Sequence, residues 1–279
     1  MSFQGRVALV TGASRGVGAA VASALASAGA TVACAARATA AAPQRTPGTL
    51  DETVARIEAD GGRALAVPTN LAVPDEVEAM VATTVERLGR LDVLVNNAAI
   101  TFAGDLDIPL ARHELVMAVN TTAPLVASRA AAPHMRAVGG GRILNVSSVA
   151  ALRPVPGLMS YGISKIALEH LTIDLARILQ GDGIAVNCFR IDVAVASEGF
   201  VANTPGLDRS TWEPCSVAAE GIMWMLGQPT TWSGRRESML ALRQREGIMA
   251  SRAARPSDPG RPMTDLLDGL APDSPTAFT

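Results

Sequence analysis

The sequence predicts an α/β protein in which helices cover both faces of a single parallel sheet. Short runs rich in Val, Ile and Leu alternate along the chain with longer segments that carry an apolar face at helical spacing. The runs are apolar throughout instead of alternating with polar residues, which is typical of strands buried on both faces. Because crossovers between parallel strands are right-handed, this order predicts a doubly wound sheet.

The apolar runs and the helical patterns place the elements in order. Strands are predicted at residues 6–11, 31–36, 63–68, 91–97, 141–148 and 184–189. Five helices are predicted: one that ends at Ala28, one from Thr49 to near Gly61, one from Pro74 to 89, one at about 107–136 and one at about 160–180. Thr49 and Glu52 resemble a capping box at the start of the second helix. The segment 37–49, after the second strand, is a Pro-, Thr- and Ala-rich loop.

The composition shows no break that would divide the chain before about residue 245. Residues 1–245 are therefore expected to form one domain, and a hydrophobic content of 48% is enough for a large core. Residues 246–279 are rich in Pro, Arg and Asp, and we expect them to form an extended C-terminal tail.

Charge and composition also exclude several classes of protein. A formal net charge of -2 gives no support for binding to nucleic acid or to an anionic membrane. The three cysteines and three histidines lie far apart without metal-ligand spacing, so no metal site is expected. The N-terminus has no signal-peptide pattern, and no apolar stretch reaches the ~20 residues that span a bilayer. A cytoplasmic location is the expectation that follows.

A glycine-rich turn, TGASRGVG, joins the first strand to the first helix at residues 11–18. Its first glycine permits a sharp turn, the second lets the backbone approach a pyrophosphate, and the third lets helix and strand pack closely. The helix N-terminus adds N–H donors and partial positive charge. This arrangement predicts a Rossmann-type dinucleotide site. The expected cofactor contacts in the turn are Gly12, Ser14, Arg15, Gly16, Val17 and Gly18.

The same letters fit a second pattern, Gly-x-Ser-x-Gly, in which Ser14 would be the nucleophile of a serine hydrolase. That fold places several strands before the nucleophile. Only eleven residues precede Gly12 in this chain, so the position of the turn favours the dinucleotide site.

The charges around the turn favour NADP(H) over NAD(H). The second strand ends with Ala36, where a carboxylate would otherwise hold a 2′-hydroxyl group of the ribose. Arg37 follows directly, and Arg15 lies within the glycine turn. Two guanidinium groups near the ribose suit a 2′-phosphate, although each arginine alone is also compatible with a solvated loop position.

Tyr161 is the only tyrosine of the chain, and it lies four residues before Lys165. In a helix this spacing puts both side chains on one face. A phenol with a pKa near ~10 is a poor proton donor at neutral pH, and a nearby ammonium favours its ionisation. The pair is therefore a candidate for acid/base catalysis. The alternative is a tyrosine ring that packs beside a surface lysine.

Two further polar residues belong to the same expected edge of the sheet. Ser148 ends the fifth strand, thirteen residues before Tyr161, and could bind a substrate oxygen there. Asn120 lies in the middle of a long helical segment that is otherwise rich in Ala, Val and Met. Its amide could bond back to a helix carbonyl or hold a water molecule.

Taken together, these motifs resemble the short-chain dehydrogenase/reductase family. TGASRGVG, NNAA at 96–99, Asn120, Ser148 and YGISK occur in the order and at the spacing of that family, over residues 5–242. The segments PGTLDETVARIEADGG and REGIM are similar to its hydroxysteroid dehydrogenase-like 2 subgroup. The resemblance implies a catalytic tetrad of Asn120, Ser148, Tyr161 and Lys165.

The resemblance also assigns roles. Tyr161 would exchange a proton with the substrate oxygen that Ser148 holds, while a hydride moves to or from the nicotinamide. Lys165 would bind the nicotinamide ribose and lower the pKa of Tyr161, and Asn120 would position a water in a proton relay. Asn97 and Ala98 would form the floor of the cofactor site, and Asn70 and Leu71 would flank the adenine.

The chain departs from the family pattern after the sixth strand. Ile191 and Asp192 stand where the family usually has Pro-Gly, and Ala194 stands where the backbone often meets the nicotinamide carboxamide. Ser197 replaces the usual threonine, and Ala99 replaces a common glycine. These changes fall on the floor of the site and on the substrate loop, and they leave the catalytic residues intact.

The sequence thus favours an NADP(H)-dependent oxidoreductase that interconverts a small-molecule ketone and a secondary alcohol. The alternatives are an NAD-dependent alcohol dehydrogenase and a non-catalytic dinucleotide-binding sensor. A homodimer or homotetramer is expected, because the helices at 107–136 and 160–180 carry small apolar residues that a monomer would expose.

Overall fold

The computed structural model describes residues 2–256, and these residues form a three-layer α/β fold. Its strands are β1 Val7–Thr11, β2 Thr31–Ala36, β3 Arg63–Pro68, β4 Val93–Asn96, β5 Gly141–Ser148, β6 Ile184–Ile191 and β7 Arg236–Ser238. Its helices are α1 Gly16–Ser27, α2 Leu50–Ala59, α3 Pro74–Leu88, α4 Leu110–Met117, α5 Ala123–Ala137, α6 Met159–Leu179, α7 Glu198–Asn203, α8 Cys215–Leu226 and α9 Met239–Glu246.

The strands form one parallel sheet in the order β3-β2-β1-β4-β5-β6-β7. The order reverses between β1 and β4, so the chain winds outward in both directions from β1. This arrangement confirms the predicted doubly wound, Rossmann-type fold. Ligands of such folds bind at the carboxyl ends of the strands near the reversal.

Two apolar layers hold the sheet between its helices. Ala8 and Val10 belong to the layer formed with α1, α2, α8 and α9, whereas Leu9 belongs to the layer formed with α3, α5 and α6. Successive residues of β1 thus point to opposite faces, and both faces are buried. Burial of each Leu or Val side chain contributes about 1.5–3 kcal/mol, which explains why the strand sequences are apolar throughout.

The helix predicted at about 107–136 is interrupted in the structure. A π-helical turn, Ala118–Thr122, joins α4 to α5. Asn120 lies in this turn, and its side chain bonds to the backbone of Ile100. A tertiary contact of this kind leaves no mark on the apolar periodicity of the segment, so the pattern predicts one continuous helix.

The sequence analysis missed the seventh strand. β7 is only three residues long, pairs with Cys188–Arg190 of β6, and consists of Arg, Glu and Ser. It lies at the edge of the sheet and is not fully buried. A short polar edge strand carries neither an apolar run nor a turn signal, so only its pairing with β6 reveals it.

The first residues of the expected C-terminal tail pack against the domain. Met249 is fully buried, and the backbone N–H of Arg252 donates to the Glu213 carboxylate over 2.8 Å. Arg255 forms an ion pair with Asp208. Residues 257–279, which make up the rest of that tail, lie outside the described residues. Across residues 2–256, no helix combines the length and the apolarity needed to cross a membrane.

Candidate active site

The glycine turn between β1 and α1 has a backbone shape that suits a bound phosphate. Gly12 and Gly16 have φ angles of 69° and 60°, in the left-handed region that glycine adopts without strain. A Cβ atom at Gly18 would overlap the carbonyl oxygen of Gly12, so strand and helix pack closely here. The first turn of α1 has no side-chain cap and no acidic residue. Its backbone N–H groups therefore fit the pyrophosphate of a dinucleotide.

The segment after β4 is fixed against the glycine turn by Thr11. The Thr11 hydroxyl oxygen accepts hydrogen bonds from the backbone N–H groups of Asn97 and Ala98, over 3.0 and 3.1 Å. The Asn97 side chain returns a hydrogen bond to the Thr11 carbonyl oxygen over 2.9 Å. The ends of two neighbouring strands are thus locked together, and Asn97 and Ala98 lie beside the expected cofactor position.

Asn70 and Leu71 follow β3 at the same edge of the sheet. Leu71 is buried. The Asn70 backbone N–H donates to Glu76 over 2.7 Å, and its side-chain oxygen accepts from the Ala72 backbone N–H over 3.2 Å. Asn70 therefore shapes the turn into α3.

Both polar atoms of the Asn120 side chain form hydrogen bonds that connect the π-helical turn to the segment after β4. Its amide oxygen accepts from the Ile100 N–H over 2.8 Å, and its amide nitrogen donates to the Ile100 carbonyl over 2.9 Å. The same nitrogen donates to the Ser164 hydroxyl over 3.0 Å. Its side chain thus bonds to other segments of the chain and not back to a carbonyl of its own helix. It anchors α6 and the wall after β4 to each other.

Tyr161, Ser148 and Lys165 meet where β5 ends and α6 begins. A hydrogen bond links the Ser148 side chain to the phenol of Tyr161. The Lys165 ammonium lies 5.5 Å from the centre of the Tyr161 ring and donates to the Val146 carbonyl over 2.8 Å. Tyr161 remains partly exposed, whereas Lys165 is buried. The geometry places two hydroxyl groups at an open edge with a buried cation behind them.

The two titratable groups of this cluster respond to burial in opposite ways. Burial raises the pKa of Tyr161, and the hydrogen bond from Ser148 offsets part of that rise. Burial lowers the pKa of Lys165 to about 8, while Cys188 and Glu169 act in the opposite direction. The expected lowering of the Tyr161 pKa by Lys165 is not seen in the protein alone, where burial sets the direction and Ser148 supplies the opposing effect.

A buried ion pair that the sequence analysis missed lies next to Lys165. Glu169, one helical turn further along α6, is fully buried and accepts two hydrogen bonds from Arg190, over 2.8 and 2.5 Å. It also accepts a hydrogen bond of 2.8 Å from the Ser147 hydroxyl. One carboxylate thus connects α6, β5 and β6. The signal in the sequence was a charged residue in each of two apolar segments, IALEHL and NCFRI.

Asp192 lies just after β6 and faces α9. Its carboxylate accepts a hydrogen bond from the Leu240 backbone N–H over 2.9 Å, in the first turn of that helix. Burial raises the pKa of Asp192, although this hydrogen bond and one from Ser238 lower it. Arg190, two residues before Asp192, pairs with Glu169 instead, so the Asp192 carboxylate bonds to the backbone of α9.

Ala194 is buried in the segment that follows Asp192. Its carbonyl oxygen accepts from the Glu213 N–H, and the Ala196 N–H donates to the Glu213 carbonyl, both over 2.8 Å. The segment is therefore held as a short two-stranded bridge close to the end of β6.

The two arginines near the glycine turn differ in their contacts. Arg15 donates three hydrogen bonds to backbone carbonyls of the loop 37–49. Arg37 is exposed and makes no hydrogen bond or ion pair within residues 2–256. Burial lowers the pKa of Arg15, the Glu198 carboxylate opposes this effect, and the positive charge of Arg37 lowers the pKa further.

Comparison with known proteins identifies the family to which this site belongs. The family model described as short chain dehydrogenase matches residues 6–195, more than half of the chain. The chain belongs to the short-chain dehydrogenase family. The match includes the glycine turn, Asn120, Ser148, Tyr161 and Lys165, and it confirms the resemblance identified from the motifs.

Relatives and solved structures agree with this assignment. The short-chain dehydrogenase described here is 33% identical over 244 residues to 2-(R)-hydroxypropyl-CoM dehydrogenase of Xanthobacter autotrophicus, covering 81% of this chain and 93% of the relative. It is 30% identical to hydroxysteroid dehydrogenase-like protein 2 of Xenopus tropicalis over 273 residues, covering 96% of this chain and 64% of the relative. A short chain dehydrogenase from Burkholderia cenocepacia, solved with NADP, is 35% identical and superposes with a TM-score of 0.76, covering 85% and 97% of the two chains.

These similarities establish an oxidoreductase of the short-chain dehydrogenase type. The relatives are named as dehydrogenases or reductases, and the protein is accordingly an enzyme. NAD(P) is the cofactor of this family, and the uncapped N-terminus of α1 at the glycine turn fits it.

Proposed function

We propose that this enzyme interconverts a ketone and a secondary alcohol with NADP(H), and that Tyr161 is its general acid and base. The observation that carries the proposal is the cluster of Tyr161, Ser148 and Lys165 at the carboxyl edge of the sheet. Two neutral hydroxyl groups share a hydrogen bond at a partly open position, and a buried ammonium lies 5.5 Å from the phenol ring. A binding protein without catalysis has no need for this combination.

The residues divide the chemistry between them. In the direction of reduction, the Tyr161 phenol donates a proton to the oxygen that becomes the alcohol, and Ser148 donates a hydrogen bond to the same oxygen. The nicotinamide, when bound, supplies or accepts the hydride. Lys165 favours the phenolate that Tyr161 becomes, through its positive charge. Asn120 keeps α6 and the segment after β4 in register, so the hydroxyl groups stay in place.

The preference for NADP(H) over NAD(H) rests on the end of β2. Ala36 supplies no carboxylate to a 2′-hydroxyl group, and Arg37 has no partner in the described structure that would compete for its guanidinium. A 2′-phosphate would form charge-assisted hydrogen bonds with such a group. The Burkholderia cenocepacia relative that superposes on this chain was solved with NADP.

The apolar outer face of two helices supports a homo-oligomer. On α6, Ile163, Ile166 and Ile173 are exposed and lie on one stripe, and Leu125 is exposed on the neighbouring α5. Exposed apolar side chains grouped on one face of a helix mark an interaction surface. We propose that a second copy of the chain covers it across a two-fold axis.

The function is tested by the oxidation of NADPH in the presence of a panel of ketones, followed by absorbance at a fixed protein concentration. Turnover of at least one ketone, and production of the corresponding secondary alcohol, is the expected result. Binding of NADPH without turnover of any ketone or oxidation of any alcohol would instead favour the dinucleotide-binding sensor. Faster turnover with NADH than with NADPH would favour the NAD-dependent dehydrogenase.

A further inference from the structure

A cleft lined by arginines lies at the amino ends of the strands, at the edge of the sheet opposite the active site. It has a volume of about 520 Å³ and is formed by the first residues of β1, β2 and β3 and by the ends of α2 and α3. Its ionisable lining residues are Arg6, Arg63, Arg87, Arg90 and Glu58. Since β1 is five residues long, the cleft lies roughly 15 Å from the glycine turn. It is therefore separate from the dinucleotide site.

A buried carboxylate holds two of these arginines in place. Asp92 accepts hydrogen bonds from Nη1 of Arg6 over 2.7 Å, and from Nε and Nη2 of Arg90 over 2.8 and 2.7 Å. It also accepts from the Val7 backbone N–H over 2.9 Å. The Asp92 side chain is 4% exposed, whereas those of Arg6 and Arg90 are 48% and 36% exposed. The carboxylate is thus surrounded by donors, while most N–H groups of the two guanidiniums remain open to another acceptor.

The other two arginines of the cleft have no partner within residues 2–256. Arg63 begins β3, Arg87 lies in the last turn of α3, and both are exposed. Neither forms a hydrogen bond or an ion pair with the described residues. Glu58 lines the same cleft, yet it forms no ion pair with any of the four arginines. Four guanidinium groups and one carboxylate give the lining a formal charge of +3, although the net charge of the chain is -2.

A fifth arginine adds positive charge behind Asp92. Nη2 of Arg142 donates to the Gln228 carbonyl over 3.2 Å, and its buried Nε has no hydrogen-bond partner in the part of the chain that the structure describes. Burial lowers the pKa of Arg142, the charge of Arg6 lowers it further, and the charge of Asp92 opposes this effect. One carboxylate therefore faces more than one positive charge, and the excess attracts an anion.

We propose that this cleft is a second binding site, and that its ligand is a small molecule that carries a diphosphate group. One guanidinium fork matches one carboxylate, and Asp92 already binds Arg6 and Arg90 in this way. The donors that remain converge on the cleft from the start of β1, the start of β3 and the end of α3. Only a ligand with several acceptor oxygens reaches all three segments. A diphosphate presents such oxygens, whereas a single carboxylate serves one guanidinium.

The test is a calorimetric titration of the protein with pyrophosphate at low ionic strength. One equivalent of NADPH is present to occupy the glycine turn, and its fluorescence shows whether pyrophosphate displaces it. The variants Arg63→Met and Arg87→Met each remove one exposed guanidinium from the cleft and leave the Asp92 contacts intact. Arg45→Met is the matched control, because Arg45 is exposed on the loop 37–49 and makes no hydrogen bond or ion pair with the described residues. Acetate is titrated for comparison.

The unmodified protein is expected to bind pyrophosphate with a dissociation constant below about 1 mM and to keep its NADPH. Arg63→Met and Arg87→Met each raise this constant about threefold, the loss typical of one exposed ion pair, and the variant with both changes raises it about tenfold. Arg45→Met leaves it unchanged. Acetate binds at least about tenfold more weakly than pyrophosphate, because it engages a single guanidinium.

Four results would overturn the proposal. The first is that the unmodified protein does not bind pyrophosphate. The second is an equal loss in Arg45→Met, which would reveal only a general attraction of the anion to positive charge. The third is displacement of NADPH with no effect of the two cleft variants, which would place pyrophosphate in the glycine turn. The fourth is acetate binding as tight as that of pyrophosphate, which would contradict a diphosphate ligand. The cleft variants decide the matter even if the protein binds no dinucleotide, because they lie at the opposite edge of the sheet.

Discussion

Tyr161 and Lys165 differ in what burial does to their protons. Burial raises the pKa of the Tyr161 phenol, so the phenol stays neutral at neutral pH and can donate a proton. Burial lowers the pKa of Lys165 to about 8, so the lysine is charged at neutral pH with a small margin. In the proposed mechanism, the phenol gives up its proton only when negative charge develops on the substrate oxygen next to it.

Replacement of Tyr161 by phenylalanine tests the acid directly, because the hydroxyl is the only group removed. We expect turnover of ketones to fall by ~10²–10⁴-fold, the usual contribution of a general acid. NADPH binding, measured by fluorescence titration, should change little. A Tyr161→Phe protein that keeps more than about a tenth of the normal activity would show that another group supplies the proton.

The pKa of Lys165 predicts how the activity depends on pH. Below about 8 the lysine carries its charge, and above about 8 it loses the charge that stabilises the phenolate. We therefore expect kcat/KM for ketone reduction to fall as the pH rises through about 8, since kcat/KM reports groups of the free enzyme. A flat profile between pH 7 and 9, with the protein folded throughout, would contradict this.

At the scale of the elements, Glu169 links three segments that carry the site. It lies one turn beyond Lys165 on α6, bonds Ser147 next to Ser148 on β5, and pairs with Arg190 at the end of β6. A buried carboxylate with three hydrogen bonds is stable there because each lone pair that it uses faces a donor. The same carboxylate helps Lys165 to remain charged against the effect of burial.

Replacement of Glu169 by glutamine removes this negative charge and keeps the hydrogen-bond acceptor. The pKa of Lys165 should fall, and the decline of kcat/KM should move to lower pH. Asp174→Asn is the control, because Asp174 lies on the same helix with an exposed side chain. An unchanged pH profile in Glu169→Gln would show that Glu169 only stabilises the fold.

Asp192 acts on α9 through a cap at the first turn of that helix. Loss of its bond to the Leu240 N–H in Asp192→Ala should cost about 0.5–2 kcal/mol of stability, which lowers the Tm by about 2–4 °C per kcal/mol in a protein of this size. Asp192→Asn keeps an acceptor and should be close to the unmodified protein in thermal unfolding.

Measurements of kcat/KM with several ketones then show whether Asp192 only stabilises α9 or contacts the substrate. A cap that stiffens the segment after β6 affects every ketone similarly, and the effect is larger in Asp192→Ala than in Asp192→Asn. A loss in Asp192→Asn that is confined to polar or cationic substrates would place the carboxylate in the pocket instead.

At the scale of the whole molecule, the exposed stripe of α6 predicts that the chain does not remain a monomer. Light scattering should give a mass that is a multiple of 28.7 kDa. Ile166→Glu places a charge in the middle of the patch, so it should lower the measured mass while circular dichroism stays unchanged. A stable, active 28.7 kDa monomer of the unmodified chain would contradict the proposed assembly.

The features that depend on local periodicity and on short motifs could be predicted from the sequence. The continuous apolar runs predicted the parallel sheet, because strands buried on both faces contain few polar residues. The glycine turn followed from three glycines at the end of β1. Tyr161 and Lys165 could be placed on one face because a spacing of four residues fixes their relation within any helix.

The contacts between segments that are distant along the chain became visible in the folded structure. Asn120 bonds to Ile100 and interrupts the helix, Glu169 pairs with Arg190, and Arg15 holds residues 46–48. These contacts join positions twenty or more residues apart, so neither helical nor strand periodicity carries a trace of them. Each is a hydrogen bond whose partner is set by how the layers pack, and packing is a property of the folded chain.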